Sequence, residues 1–442
     1  MPHFDTIIRH GVVVSEAGAG LADLGMSNGV IAAIAPELSG TVGDEIDARG
    51  LHLLPGVIDA HVHFNEPGRG DWEGWASGTR ALAAGGTTTC FEMPLNASPP
   101  TLDAPSFDAK HAAASAAALT DFALWGGLVP GNVPHLAELA ARGVIGFKAF
   151  MSKSGMSDFP AADDATLAAG MAEAASLGRI VAVHAENDGL TTFLTARASA
   201  AGRTTWRDYL ASRPAIAEIE ATNRAIALAE GTGCALHIVH LSTGRAVALV
   251  VAAKARGVDV SCETCPHYLV FTEEDLERLG AAAKCAPPLR SAAERDALWT
   301  ALLAGELPMV ASDHSPAPPA LKSGANALTI WGGIAGCQTL LTLLLTEGHH
   351  ARKMPLEAIA SVSAAYVARR FALPAKGRLA TGADADIALV DLAATTTLTR
   401  DDLHDRHRLN PFVGHQLRGR VVRTMLRGGT VYHEGKFGPV PR

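Results

Sequence analysis

The chain of 442 residues has no cluster of basic side chains and no long apolar run. Its formal net charge of −8 argues against a nucleic-acid partner, because binding to phosphates requires a basic face. No apolar stretch approaches the roughly 20 residues that a membrane-spanning helix needs. The first residues also lack the basic-then-apolar pattern of a signal peptide. We therefore expect a cytoplasmic protein with no membrane partner.

Cysteine is also sparse and shows no pairing pattern. The six cysteines are scattered through a long chain, which is typical of reduced thiols rather than of a disulfide framework. Cys262 and Cys265 form a CxxC pair, but no second pair with suitable spacing follows. We interpret these two residues as ordinary buried thiols at the end of a strand.

Residues 51–376 alternate short apolar runs with longer stretches of helical periodicity. The runs are rich in Val and Ile and apolar on both faces, which is typical of parallel strands buried on both sides. The longer stretches often end at glycine, as helices do. Eight such units predict an α/β fold, a (β/α)8 TIM-type barrel. A doubly wound open sheet is the alternative, because periodicity alone cannot show whether the sheet closes into a barrel.

The two ends of the chain have a different pattern. Residues 1–50 and 377–442 are rich in glycine turns and short β-type runs. We predict that they combine into one small β-sandwich domain, packed beside a barrel formed by residues 51–376.

His61 and His63 are the strongest local signal for chemistry. Alternate residues of a strand face the same side, so both imidazoles would face inward at the carboxyl end of the first barrel strand. Barrel enzymes keep their active sites at that end, and neutral imidazole is a common zinc ligand. Taken alone, the pair could equally be two polar residues at a strand end.

Other strand ends carry residues of the same kind. His184 and His240 each end an apolar run, and Asp313 closes the last one. A carboxylate there can both bind a metal and carry a proton. His237, three residues before His240, should lie on the opposite face and be structural, and His314 should point away from the site. The combination predicts a metal centre.

Lys148 lies inside the apolar run of residues 143–150, which is interpreted as a buried strand. A buried, unpaired ammonium group is costly, so the pKa of Lys148 should fall and its amine should become nucleophilic. Such an amine can combine with carbon dioxide to form a carbamate that bridges two cations. The alternative is a lysine paired with a carboxylate, and the histidines and the aspartate at matching strand ends favour the carbamate.

Five motifs together resemble the amidohydrolase superfamily, in the branch of dihydroorotases, hydantoinases and allantoinases. They are PGVIDAHVHFNEPG at residues 55–68, the strand lysine, VHAEN at 183–187, HIVHLS at 237–242 and SDHSP at 312–316. The resemblance covers essentially the whole chain. It implies a carboxylated Lys148 between two divalent metals, usually zinc, with cobalt or manganese as other options. The implied ligands are His61, His63, Lys148 and Asp313 for one metal and Lys148, His184 and His240 for the other.

Substrate-facing positions separate the branches of this superfamily. The chain resembles dihydroorotases less. They carry an arginine that binds the substrate carboxylate, and this sequence has the neutral Asn65 at that position. Hydantoinases and dihydropyrimidinases place a tyrosine shortly after the lysine, and residues 149–160 contain none. Residues 93–101 (MPLNASPPT) and 72–75 (WEGW) instead resemble allantoinases.

The resemblance therefore implies hydrolysis of the hydantoin ring amide of allantoin to allantoate, a step of purine catabolism, with Asp313 as the catalytic proton carrier. Candidate substrate-binding groups are the side chains of Asn65, Asn96 and Ser315 and the backbone around Cys285. A homo-oligomer, with a tetramer favoured, is expected from the same resemblance. The alternatives are a hydantoinase or dihydropyrimidinase, then a dihydroorotase, and, in a different class, a non-catalytic scaffold that has lost its metal ligands.

Overall fold

The computed structural model of the protein describes residues 3–16 and 18–441. Strands from both ends of the chain flank a central series of strands and helices. In the described residues the strands are β1 His3–Ser15, β2 Gly18–Ser27, β3 Val30–Ala35, β4 Thr41–Asp47, β5 His52–Pro55, β6 Val57–Val62, β7 Thr87–Glu92, β8 Asp121–Leu124, β9 Gly126–Gly127, β10 Gly146–Phe150, β11 Ile180–His184, β12 Leu236–Ile238, β13 Val260–Cys262, β14 Ile387–Thr397, β15 Gln416–Leu426, β16 Gly429–His433 and β17 Lys436–Phe437.

Strands β6 to β13 are parallel and form the wall of a barrel. Their order is β6-β7-β8 and β9-β10-β11-β12-β13, and β8 and β9 are separated only by Trp125. The last strand is reduced to bridges: Val310 pairs with Thr264 beyond β13, and His314 pairs with Val62 of β6. These parallel bridges close the barrel, so the predicted (β/α)8 fold is confirmed and the open doubly wound sheet is excluded.

Helices connect the barrel strands, and many begin where the sequence offers a polar cap. The side chains of Asp103, Asp163, Asn187, Thr205 and Thr243 accept hydrogen bonds from backbone N–H groups in the first helical turn. The helices are α1 Trp75–Ala84, α2 Ala104–Ala117, α3 Leu136–Ala141, α4 Asp164–Ser176, α5 Asp188–Ala200, α6 Trp206–Ser212, α7 Ala215–Thr232, α8 Gly244–Ala255, α9 Pro266–Val270, α10 Glu273–Leu279, α11 Ala292–Leu303, α12 Leu340–Leu343, α13 Leu356–Ala360 and α14 Tyr366–Arg370.

Shorter helical segments complete the connections. π-helical turns at Leu344–His350 and Ser361–Ala365 continue α12 and α13. Single 3-10 turns lie at Val133–His135, Gly280–Ala283, Pro319–Lys322, Cys337–Thr339 and Arg400–Asp402. Within residues 3–16 and 18–441, none of the helices has the length and apolar character needed to cross a bilayer.

The two chain ends share one sheet. Its nine strands run in the order β17-β16-β15-β14-β5-β1-β2-β3, with β4 also paired to β1. The antiparallel pair β5–β14 joins the N-terminal strands to the C-terminal ones. Side chains of both halves, among them Ile8, Leu24, Ile387 and Met425, pack into one apolar cluster.

A β domain built from both chain ends is therefore confirmed. Its boundaries at residues 50/51 and 376/377 stay predictions, and β5, which follows residue 51, pairs within this sheet.

Gly78 of α1 shows how closely this helix approaches the barrel. A Cβ atom at Gly78 would lie 2.2 Å from Phe64 Cε1 and 2.3 Å from Phe64 Cδ1. Phe64 directly follows His63, so the close approach of α1 helps to hold the end of β6.

We expect Gly78→Ala to lower the free energy of unfolding by about 1–3 kcal/mol, because the new methyl group overpacks a buried ring. Gly231→Ala in α7 is the matched control, since a Cβ there meets nothing within 4 Å. The control should be neutral or up to about 1 kcal/mol more stable, because alanine is the better helix former. Thermal unfolding of both variants beside the parent protein checks this, and equal melting temperatures would contradict it.

Candidate metal centre and substrate cavity

Three of the predicted residues meet at the carboxyl end of the barrel. The Nε2 atoms of His61 and His63 lie 3.2 and 3.4 Å from the same oxygen, Asp313 Oδ1. One ligand atom from each of the three residues lies within 4.8 Å of the others, and all three are buried. Two imidazoles and a carboxylate at this spacing can share one divalent cation.

His184 and His240 form a second group beside the first. His184 Nδ1 lies 3.1 Å from His240 Nε2, and the rings of His240 and His61 have centroids 5.4 Å apart. Both His184 and His240 are buried. The structure thus brings all four predicted histidines to one place, as two adjacent nitrogen-rich groups.

Lys148 lies on β10 among these side chains. Its Nζ has no hydrogen-bond partner within the described residues and lies 5.0 Å from the ring centroid of Phe150. Burial lowers the pKa of Lys148 to about 7, although the charges of Asp313 and Glu263 act in the opposite direction. An unpartnered amine with a lowered pKa has the chemistry needed to combine with carbon dioxide.

Three of the four imidazoles are held from outside by an acceptor. His61 Nδ1 lies 2.6 Å from Glu263 Oε1, and His63 Nδ1 lies 2.8 Å from the Leu95 carbonyl oxygen. His184 Nε2 lies 2.8 Å from a carboxylate oxygen of Glu186. A ring nitrogen beside an acceptor carries the proton, so the other nitrogen presents a lone pair to the centre. The donor set therefore fits divalent metal ions.

Burial also favours the neutral form of these rings. It lowers the pKa of His61 and His240 well below the usual value, and nearby Lys148 adds to the effect in both cases. For His184, burial again dominates and lowers the pKa, against the pull of Glu186. Neutral imidazole is the form that binds metal.

His237 does not lie on the opposite face, so that prediction was wrong. His237 Nε2 lies 3.2 Å from Glu263 Oε2, and the other oxygen of Glu263 contacts His61. The backbone of His240 is left-handed, with φ 41°, which breaks the strand alternation on which the prediction relied. Both histidines therefore face the barrel interior, with His237 one layer deeper.

Two buried glutamates were missed by the sequence analysis. Glu263 follows β13, and alternation along residues 261–263 could have placed it inward with Ser261. Glu186 lies two residues after His184 in the VHAEN motif, at the same parity. Their side chains are at most 1% exposed.

A cavity of about 320 Å³ opens above these residues. Asn96 and Ser315 line it, together with the predicted histidines and Asp313. Asn65 does not reach the cavity: it is fully buried, and its Oδ1 accepts a hydrogen bond from Asn96 Nδ2 at 3.1 Å. The structure therefore places Asn65 behind Asn96.

The backbone around Cys285 was predicted to contact the substrate, and Cys285 itself does not line the cavity. Its backbone carbonyl accepts a hydrogen bond from the Tyr209 hydroxyl at 2.7 Å, while the next residue, Ala286, does line the cavity. The two residues of the CxxC pair, Cys262 and Cys265, are buried free thiols, as expected. His314 packs against Phe64, away from the metal-binding residues.

Three basic side chains that were not predicted also line the cavity: Lys153, Arg213 and Lys284. Arg213 forms an ion pair with Glu186. Burial raises the pKa of the Glu186 carboxyl, but the contacts with Arg213 and His184 outweigh burial and lower this pKa to about 2. Lys284 Nζ donates to the backbone carbonyls of Leu328, at 3.4 Å, and Ile330. Fixed polar groups therefore line the cavity around the predicted metal-binding residues.

Comparison with known proteins assigns the chain to a family. The model of the amidohydrolase family matches residues 52–431. The chain belongs to this family.

The similarity of this amidohydrolase to individual proteins extends over nearly its full length. It is 61% identical to a protein named allantoinase from Rubrobacter xylanophilus, covering 100% of this chain and 98% of that protein. It is 56% identical to an allantoinase from Solibacter usitatus, covering 98% and 94%.

Among solved structures, it is similar to L-hydantoinase (dihydropyrimidinase) from Arthrobacter aurescens. The TM-score is 0.96 at 35% identity, covering 98% of this chain and 97% of the other. The dihydropyrimidinase from Brevibacillus agri gives a TM-score of 0.91 at 33% identity, covering 98% and 96%.

The turn that follows His63 in this amidohydrolase is held by a buried ion pair. Glu92 accepts hydrogen bonds from the backbone N–H groups of Phe64, at 2.8 Å, and Asn65, at 3.3 Å. Lys110 Nζ lies 3.5 Å from Glu92 Oε1 and donates to the Met93 carbonyl at 2.7 Å. Both side chains are fully buried.

We expect Lys110→Met to lower the free energy of unfolding by about 3–5 kcal/mol, because it leaves Glu92 as an unpaired buried carboxylate. The control is Lys254→Met on α8, an exposed lysine of the same type, which should leave the melting temperature nearly unchanged. Thermal unfolding measures both. If the two variants unfold together, the ion pair does not support the site.

Proposed function

We propose that this enzyme hydrolyses the hydantoin ring amide of allantoin to allantoate, a step of purine catabolism. The observation that carries the proposal is near full-length similarity, at 61% and 56% identity, to two proteins named allantoinase. The site supports it, because five of the predicted metal-binding residues line one polar cavity, and the charge of the buried sixth, Lys148, acts on three of the histidines. An intact donor set also argues against a non-catalytic scaffold.

We further propose two divalent metal ions, with zinc as the first choice and cobalt or manganese as alternatives. One would be held by His61, His63, Lys148 and Asp313, and the other by Lys148, His184 and His240. The lone pairs directed to the centre support this assignment, as does the unpartnered amine of Lys148. When bound, the two cations would polarise the ring carbonyl and lower the pKa of a water molecule between them.

The carbamate requires one covalent step at Lys148. A bond forms between Nζ and the carbon of carbon dioxide, and the amine gives up a proton, so the product carries one negative charge. Burial favours the step, because the neutral amine is the nucleophile and the pKa of Lys148 is already lowered to about 7.

Asp313 is placed to move the proton during ring opening. Its Oδ1 lies within 3.4 Å of both His61 Nε2 and His63 Nε2, at the floor of the cavity. It accepts a proton from the attacking water and delivers it to the ring nitrogen that leaves as the carbonyl carbon–nitrogen bond breaks. Asn96 and Ser315 line the cavity beside Asp313 and are positioned to hold the neutral ring by hydrogen bonds.

Hydantoinase or dihydropyrimidinase activity is the second candidate, favoured by the TM-score of 0.96 to L-hydantoinase. Two observations argue against this activity. Residues 149–160 contain no tyrosine, and the hydroxyl of Tyr209, which lines the cavity, already donates a hydrogen bond to the Cys285 carbonyl. Dihydroorotase activity ranks lower, because the neutral Asn65 is buried behind Asn96 and cannot pair with a substrate carboxylate. A cytoplasmic location and a homotetramer stay predictions.

The test is hydrolysis of allantoin, hydantoin, dihydrouracil and dihydroorotate by purified protein supplied with bicarbonate and zinc, cobalt or manganese. We expect a clear preference for allantoin, measured as kcat/KM. Asp313→Asn is the control and should turn over none of the rings, because it lacks the proton carrier. Preference for another ring would overturn the proposed substrate, and full activity of the control would overturn the role of Asp313.

Metal loading tests the carbamate at Lys148. Metal-free protein should take up two zinc ions per chain in buffer with bicarbonate and clearly fewer in degassed buffer, because the bridging group cannot form without carbon dioxide. The zinc content of the Lys148→Met variant should be the same with bicarbonate as without it. Elemental analysis after gel filtration gives the stoichiometry, and full loading without carbon dioxide would rule the carbamate out.

A further inference from the structure

We propose that Glu263 and Glu186 are positioning residues that each hold one metal-binding histidine, so that each sets the affinity of a different one of the two metals. The inference rests on the two-metal assignment made under the proposed function. It concerns two buried carboxylates that contact imidazoles from behind, on the side away from the centre.

Glu263 fixes His61 within the barrel interior. Its Oε1 lies 2.6 Å from His61 Nδ1, and its Oε2 lies 3.2 Å from His237 Nε2. His237 is held in turn, because its Nδ1 lies 2.8 Å from Ser261 Oγ, which accepts a hydrogen bond from Arg370 Nε at 2.8 Å. A chain of contacts thus reaches from the bottom of the barrel to one nitrogen of His61.

Glu186 fixes His184 by a different means. One of its oxygens lies 2.8 Å from His184 Nε2 and also pairs with the guanidinium of Arg213. Arg290 Nη1 donates to the backbone carbonyl of Arg213, which helps to hold that segment in place. Glu186 is therefore clamped by a cation at the cavity wall, whereas Glu263 is held by neutral side chains below the site.

The two proposed ligand sets share Lys148, but each glutamate contacts a histidine of one set alone. His61 belongs only to the set with His63 and Asp313, and His184 belongs only to the set with His240. A carboxylate behind an imidazole fixes the ring orientation and its protonated nitrogen and increases the basicity of the other nitrogen. Loss of such a partner typically weakens metal binding by roughly 10- to 100-fold. Each glutamate should therefore affect one metal and spare the other.

The experiment compares Glu263→Gln and Glu186→Gln with the parent protein. Each protein is equilibrated in a series of zinc buffers of decreasing free zinc, and bound zinc is measured by elemental analysis. We expect each variant to release one of its two zinc ions at about 10- to 100-fold higher free zinc than the parent, and to keep the other. Anomalous scattering at the zinc edge then identifies the lost ion, beside His61 in Glu263→Gln and beside His184 in Glu186→Gln.

The matched control is Glu218→Gln. Glu218 is equally buried, but its carboxylate bonds to the hydroxyls of Ser242 and Thr243 and contacts none of the proposed ligands. It should release both zinc ions as the parent does. Unchanged zinc release in both test variants, or loss of the same ion in both, would overturn the inference.

Two further readouts keep the test decisive. If Glu263→Gln does not fold, Ser261→Ala loosens the same chain while leaving Glu263 in place and should weaken the ion beside His61 alone. Zinc release does not depend on the substrate, so a parent protein that binds two zinc ions without hydrolysing allantoin would refute the proposed function only. A parent that binds fewer than two would refute the positioning roles.

Discussion

The contact between the first and last strands of the barrel is the constraint on which the site depends. The carboxylate of Asp59, fully buried on β6, accepts hydrogen bonds from the backbone N–H groups of Ser312, at 3.0 Å, and His61, at 3.3 Å. His63 N donates to the His314 carbonyl at 2.7 Å. The bonded residues Ser312 and His314 directly flank Asp313, and the other partners lie on β6 and just after it. These bonds therefore hold Asp313 beside His61 and His63. The hydrogen bonds that close the barrel therefore also assemble the candidate metal centre.

Strand-end residues were predictable because alternation is a short-range property of the backbone. His61, His63, His184 and Asp313 lie where the apolar runs end, and the barrel brings those ends together. His237 was misplaced because the left-handed backbone of His240 leaves no trace in the apolar pattern. The sequence also could not show how deeply each substrate-binding candidate is buried. Asn96 and Ser315 line the cavity, whereas Asn65 lies behind Asn96. Partners such as Glu263, 202 residues from His61, depend on tertiary pairing that periodicity cannot reveal.

The interior of this barrel contains many buried polar groups. Such groups are costly unless they are paired, and several of the charged ones here have partners. Glu92 holds the turn after β6, Glu186 pairs with Arg213, and Glu263 lies between two histidines. Within the described residues, Lys148 Nζ is one of several buried polar atoms without a hydrogen-bond partner, and its charge acts on His61, His184 and His240. Unlike Glu92, Glu186 and Glu263, Lys148 has no such partner in the described part of the chain, which leaves its amine available for reaction.

The sheet that joins the chain ends has a consequence for biosynthesis. Strands β1 to β5 leave the ribosome before the barrel, but the partner of β5 on the side away from β1 is β14, which follows the entire barrel. Until β14 emerges, β5 presents an unpaired edge of backbone donors and acceptors, which is the kind of surface that seeks other strands. Completion of the sheet therefore requires nearly the whole chain, and the nascent N-terminal strands are the segment most in need of protection from aggregation during translation.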